Sequence, residues 1–208
     1  MADPQRLRSR TAASLEPPAR LHLRAMDNLR FIRETMEGAA YFTDLSGLGT
    51  LAVGITALAT AWIARGQTSF AGWLAAWLID AVVAVAILAG TSVWKARQTR
   101  TDLFTLPVRR FVLALFPPLF AGALLTLVLV WQSSLAVLPG LWLLLYGTGV
   151  VTGGALSDRI VPVMGIAFMV VGTAALLAPA AWGNAFMAAG FGGLHVLFGI
   201  LITRRHGG

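Results

Sequence analysis

Six apolar runs dominate the chain, near residues 47–64, 70–93, 111–131, 137–156, 160–178 and 185–203. Each approaches the ~20 residues that an α-helix needs to cross about 30 Å of hydrocarbon. A segment in lipid must satisfy its backbone hydrogen bonds internally, so runs of this length predict helices. The expected fold is therefore all-α, a polytopic membrane protein with six transmembrane helices over 47–203. Composition agrees. The 208 residues are 57% hydrophobic and 12% charged, whereas soluble domains carry about 25% charge. Cysteine is absent, which excludes disulfides, thiolate nucleophiles and cysteine-ligated metal or iron–sulfur centres.

Charge orients the spans. The chain has 16 Lys and Arg against 9 Asp and Glu. Seven arginines precede residue 34, and Lys95, Arg97, Arg100, Arg109 and Arg110 fall between the second and third runs. Arg159 lies between the fourth and fifth runs, and Arg204 and Arg205 follow the sixth. Arg65 alone falls in an alternate connection. By the positive-inside rule this segregation predicts both ends in the cytoplasm and an even number of spans. The expected location is the inner (plasma) membrane of a bacterium. The net charge of +7 is spread over the connections, and no basic face suited to nucleic acid is visible.

Residues 1–20 are polar and rich in Arg and Pro, lack the apolar core of a leader, and read as a disordered cytoplasmic tail. Residues 21–42 read as an amphipathic helix: Leu29, Ile32, Met36 and Ala39 form one apolar stripe. Arg30–Glu34 and Arg33–Glu37 are charge pairs at i, i+4 on its other side. Such a helix would lie in the lipid interface or dock a membrane-protein partner or a second copy. Thr43, Asp44 and Ser46 offer N-cap oxygens for the first span. Residues 204–208 form a short cytoplasmic tail.

Trp62, Trp73, Trp131 and Trp182 fall near outer span ends and Trp94 near an inner one, as expected for an aromatic belt. Trp77 and Trp142 lie about a turn deeper and read as packing residues. Pro139, Pro162 and Pro179 mark span ends, but Pro117 and Pro118 fall inside the third. There they remove backbone donors, giving either a tolerated kink or a hinge. Gly149 and Gly153 form a G-x-x-x-G, and Gly192 and Gly199 share a row with Ala188. Small residues let membrane helices approach closely, within one chain or between copies.

Val53–Leu58, Ala121–Thr126 and Val171–Leu176 share a small-residue pattern, each in an odd-numbered run. The chain thus reads as three tandem helical hairpins. The last hairpin, from Gly165 to Gly172 and on through Ala178-Pro179 to Gly193-Leu-His-Val-Leu-Phe-Gly199, resembles the small-residue hairpins of the HdeD-type bacterial membrane proteins. That resemblance covers roughly the last 45 residues and implies six spans built from repeated hairpins. It implies no defined chemistry. The amphipathic segment at 21–42 departs from the pattern.

Asp80 and His195 are the ionisable groups well inside predicted spans. At 1.5 Å per residue each lies about 15 Å deep, and Tyr146 is at nearly the same level. Asp80 shares a row with Ala76 and Ala84, and His195 one with Ala188, Gly192 and Gly199. Small-residue rows face neighbouring helices, so both groups are expected to point inward. A charge at the bilayer centre costs ~2.5–3.5 kcal/mol on insertion scales and needs a partner. Asp80, His195 and Tyr146 are therefore the candidate polar cluster, serving either a proton- or ion-responsive site or a hydrogen bond that fixes helix register.

Other chemistry finds no footing. His22, His195 and His206 lack metal-ligand spacing, so no metal or other cofactor is expected. No zinc-protease, nucleophile-elbow or phosphate-cradling motif is present. The leading expectation is a non-enzymatic sensor, stress-related factor or accessory protein. The alternatives are a small transporter working through Asp80 and His195, and a lipid-active enzyme at the arginine-rich face.

Overall fold

In a computed structural model of the chain, residues 26–31, 46–99 and 106–206 are described. All the described elements are helical. Residues 26–31 are helical and belong to a unit separate from Tyr41–Gly208. The rest of the amphipathic segment, with Glu34 and Glu37, lies outside the described residues, as do Thr43 and Asp44.

Six helices are long and apolar enough to cross a membrane. They are α1 (Gly47–Ala64), α2 (Phe70–Thr99), α3 (Leu106–Trp131), α4 (Leu138–Gly153), α5 (Ile160–Leu177) and a composite sixth. The sixth comprises α6 (Gly183–Met187), a π-helical segment (Ala188–Leu194) and α7 (His195–His206). The bounds of α2 and α3 differ from those read off hydropathy. Both helices continue past the apolar runs into the basic segment, because Lys, Arg and Gln are good helix formers and no Gly or Pro interrupts 93–99. α3 also runs unbroken through Pro117 and Pro118.

Local sequence explains the ends. Ser46 caps α1, its Oγ accepting the Gly49 N–H at 3.1 Å. Pro139 stands in the first turn of α4, where its missing N–H is harmless. α3 closes in a Schellman motif: Ser133 adopts φ 57° and the Ser134 N–H reaches the Leu129 carbonyl at 2.9 Å. Arg65 lies over the Trp62 ring, 3.5 Å from its centroid, so the lone base of that connection is held against an indole of the same helix end.

Packing follows glycine. α1 and the sixth helix run antiparallel in fixed register. A Cβ on Gly54 would stand 2.6 Å from the Val196 nitrogen, and one on Gly199 2.6 Å from the Leu51 nitrogen. α4 and α5 meet in the same way. A Cβ on Gly147 would lie 2.7 Å from the Gly165 carbonyl oxygen, and one on Gly172 2.7 Å from the Leu144 nitrogen. Backbones this close gain dispersion contacts that larger residues would forbid. Gly149 and Gly153 face α3, at Leu115 and Phe111, and Gly192 faces Leu58 of α1.

The two most extensive helix contacts join α1 to the sixth helix and α4 to α5, the latter across the boundary between two sequence hairpins. α1, α4, α5 and the sixth helix form the dense part of the bundle, with 33–44% of each apolar window buried. α2 and α3 are only 11% buried and barely touch each other. Replacing Gly147 with Leu should force α4 and α5 apart and destabilise by about 1–3 kcal/mol. Gly90→Leu, where a Cβ meets nothing within 4 Å, should change stability by less than ~0.5 kcal/mol. Thermal melting in detergent compares the two.

Candidate functional site

The sixth helix builds the site. Its Ala-Ala-Gly-Phe-Gly-Gly-Leu stretch, residues 188–194, takes the wider π form, rare in proteins and frequent at functional positions. Where the segment ends, the His195 N–H goes to the Gly192 carbonyl. The His195 side chain turns back to the Phe191 carbonyl, with Nδ1 at 2.8 Å. A carbonyl only accepts, so Nδ1 carries the proton. Nε2 of the neutral ring then accepts the Tyr146 hydroxyl at 2.8 Å. Every donor and acceptor of the imidazole is used, as its burial demands (His195 is 3% exposed).

Aromatic rings close around this pair. Phe168 meets Tyr146 edge-on at 4.8 Å and His195 edge-on at 5.1 Å between centroids. Phe191 lies 5.3 Å from Tyr146 and stacks at 6.2 Å on His195. Phe168 is fully buried. The phenol–imidazole bond thus braces α4 against the sixth helix inside an apolar shell contributed partly by α5.

Asp80 is also buried, at 7% exposure, but its partners are on α1. The Thr56 and Thr60 side chains are its hydrogen-bonding neighbours. The Thr56 hydroxyl also has the Val53 carbonyl at 2.9 Å to donate to. The carboxyl therefore keeps unspent acceptor capacity. Equal depth placed Asp80, Tyr146 and His195 on one level, and the hydrogen bonds join only the last two. Both nitrogens of His195 are occupied by other groups, so a direct Asp80–His195 hydrogen bond has no atom left to make it.

All three residues nevertheless line one space. A cavity of about 530 Å³ lies among α1, α2, α3, α4, α5 and the sixth helix. Its walls are almost wholly apolar, with Ala84, Leu88, Leu115, Leu119 and Ala123 among them. Pro118 of the candidate hinge lines it as well. It exists because α2 and α3 do not close on each other. Trp77, Trp142, Thr126 and Met187 line the end nearer the α1–α2, α3–α4 and α5–α6 connections. There the Trp142 Nε1–H donates to Thr126 Oγ1 at 2.8 Å, and Thr126 donates to the Gly122 carbonyl at 2.7 Å.

Sequence reading missed Asn184. Its Oδ1 accepts from Trp73 Nε1 at 3.1 Å and Trp77 Nε1 at 3.2 Å, and its Nδ2 donates to the Ala61 carbonyl at 2.9 Å. Trp73 also stacks on Trp142, 5.9 Å between centroids, so it is a packing residue as much as a belt residue. A signal was present. Two tryptophans at i, i+4 put two indole donors on one helix face, and buried indoles need an acceptor. The π segment left only a run of small residues as a clue.

Among the described residues, no group of three His, Asp or Glu could hold a metal ion. No known protein family, curated protein or solved structure matches this chain. The Tyr146–His195 bond makes a direct prediction. Tyr146→Phe leaves Nε2 buried without a donor and should cost about 1–3 kcal/mol. The ¹⁵N spectrum of labelled histidine should show His195 as the neutral Nδ1–H tautomer in the native protein. Asp80→Asn should leave that signal in place, and Tyr146→Phe should move it.

Proposed function

We propose that this chain is a non-enzymatic sensor or accessory protein of a bacterial inner membrane, with both termini cytoplasmic. In this reading it responds to a hydrophobic molecule taken from the lipid into the cavity between α2 and α3. The observation that carries the reading is the cavity itself. At about 530 Å³ it falls within the ~300–1,000 Å³ of small-molecule sites. Its apolar walls suit a lipid-dissolved ligand, and the gap between two barely touching helices gives a lateral route from the bilayer.

Orientation is supported by charge and by the fold. The basic residues other than Arg65 cluster on one side of the expected topology. Arg205 and Asp158, whose Nε and Oδ2 are 3.7 Å apart, bring the end of the sixth helix level with the α4–α5 turn. Two crossings between them, by α5 and the sixth helix, require that arrangement. The transporter alternative finds less support, because Asp80 and the Tyr146–His195 pair bond to different neighbours and do not form a relay.

Absence of cysteine makes the orientation simple to test. In intact cells a membrane-impermeant maleimide should label Gln67→Cys and leave Arg204→Cys unlabelled until the cells are opened. The reverse pattern would overturn the topology. In liposomes a solvatochromic hydrophobic probe should bind the native protein saturably. The double change Ala84→Phe/Ala123→Phe, which fills the cavity, should weaken that binding at least tenfold, a loss of about 1.4 kcal/mol or more. Equal binding by the filled variant would sink the receptor reading.

A further inference from the structure

The cavity walls are apolar, but the polar atoms that line it are not equally spent. The Tyr146 proton is committed to His195 Nε2, leaving its oxygen as an acceptor. Thr126 is bonded on both sides, accepting from Trp142 and donating to Gly122. Asp80 differs. It is buried at 7% exposure and lines the cavity, while Thr56 and Thr60 approach it from α1. Of those two hydroxyls, that of Thr56 has the Val53 carbonyl as an alternative acceptor. A carboxyl group offers about four lone-pair sites, more than two threonines can fill. Asp80 is therefore the lining group with the most acceptor capacity to spare, ahead of the single oxygen of Tyr146.

We infer that the cavity takes a membrane-dissolved alcohol, an apolar chain or ring system bearing one hydroxyl, with the hydroxyl bound to Asp80. This rests on the receptor reading above and specifies its ligand. An alcohol fits better than an amine on physical grounds. A hydroxyl both donates and accepts, so it complements Asp80 whether the carboxyl is ionised or protonated. An ammonium head would bring a second charge into the hydrocarbon centre. The cavity reaches from Trp77 to Leu88 along α2, an axial length of ~16 Å at 1.5 Å per residue. That shape suits an elongated molecule, and the gap between α2 and α3 lets it enter sideways.

The discriminating pair of probes is n-dodecanol and its methyl ether. A purely apolar cavity should prefer the ether, because the alcohol leaves its hydroxyl buried without a partner. With Asp80 engaged the order should reverse. In nanodiscs, displacement of the solvatochromic probe from the native protein should favour the alcohol at least tenfold. Asp80→Leu should restore the ether-first order, and Asp80→Asn, which keeps an acceptor oxygen and nearly the same shape, should retain alcohol-first binding. If Asp80→Leu does not fold, the native and Asp80→Asn measurements still decide. Ether-first binding by native protein would overturn the alcohol assignment while leaving the receptor reading intact. Failure of both probes to displace anything saturably would overturn both readings.

Discussion

Asn184 ties together the end of the bundle at which the α1–α2, α3–α4 and α5–α6 connections lie. One carboxamide accepts two indole N–H groups from α2 and donates to the last turn of α1. Trp73 then stacks on Trp142 of α4, and Trp142 donates to Thr126 of α3. Five of the six long helices are thereby held at one level by a single polar residue and the rings it organises. In lipid, apolar side chains gain little by leaving the solvent, so association rests on packing and on interhelical hydrogen bonds. A residue with both a donor and an acceptor, placed where three helices converge, is suited to that work.

Below this network the bundle divides by density. Glycine brings α1 to the sixth helix and α4 to α5 at backbone contact. α2 packs on α1 through Gly49 and α3 on α4 through Gly149 and Gly153, but no glycine brings α2 and α3 together: a Cβ on Gly90 would meet nothing, and one on Gly122 would reach Leu145 of α4 only at 3.4 Å. The two loosely packed helices are joined through the tryptophans at one end, and the cavity opens between them along their length. The same uneven distribution of glycine thus accounts for the firm part of the bundle and for the empty part.

The helices were legible in the sequence because apolar length and helix length measure the same thing. Depth was legible for one pair: Tyr146 and His195 stand at hydrogen-bond distance, as a count of 1.5 Å steps implied, while Asp80 lines the same cavity. What could not be read was azimuth. His195 was grouped with Gly192 and Gly199 on one row, yet those glycines face α1 at Leu58 and Leu51 while His195 faces Tyr146 on α4. The π segment turns more slowly than an α-helix, so the part of the row that runs through it, from Ala188 and Gly192 to His195, does not keep α spacing; His195 and Gly199, both in α7, are a turn apart but meet different neighbours. Asn184 escaped for a related reason. Its importance depends on which helix ends converge, and no single helix carries that information.

The π segment also settles how a histidine can sit so deep. In a plain α-helix the Phe191 carbonyl would receive the backbone N–H four residues on. Here that N–H, belonging to His195, is directed to Gly192, and the Phe191 carbonyl accepts the imidazole N–H. The irregular backbone thus supplies an acceptor for Nδ1, which fixes the tautomer, which in turn presents Nε2 to Tyr146. Small residues at 188–190 and 192–193 make the wider turn sterically cheap. With the imidazole satisfied from its own helix and from α4, it makes no demand on Asp80, which lies on α2. Asp80 is thus left to its neighbours on α1 and to the cavity it lines, and a backbone irregularity on another helix bears in this way on the proposed site.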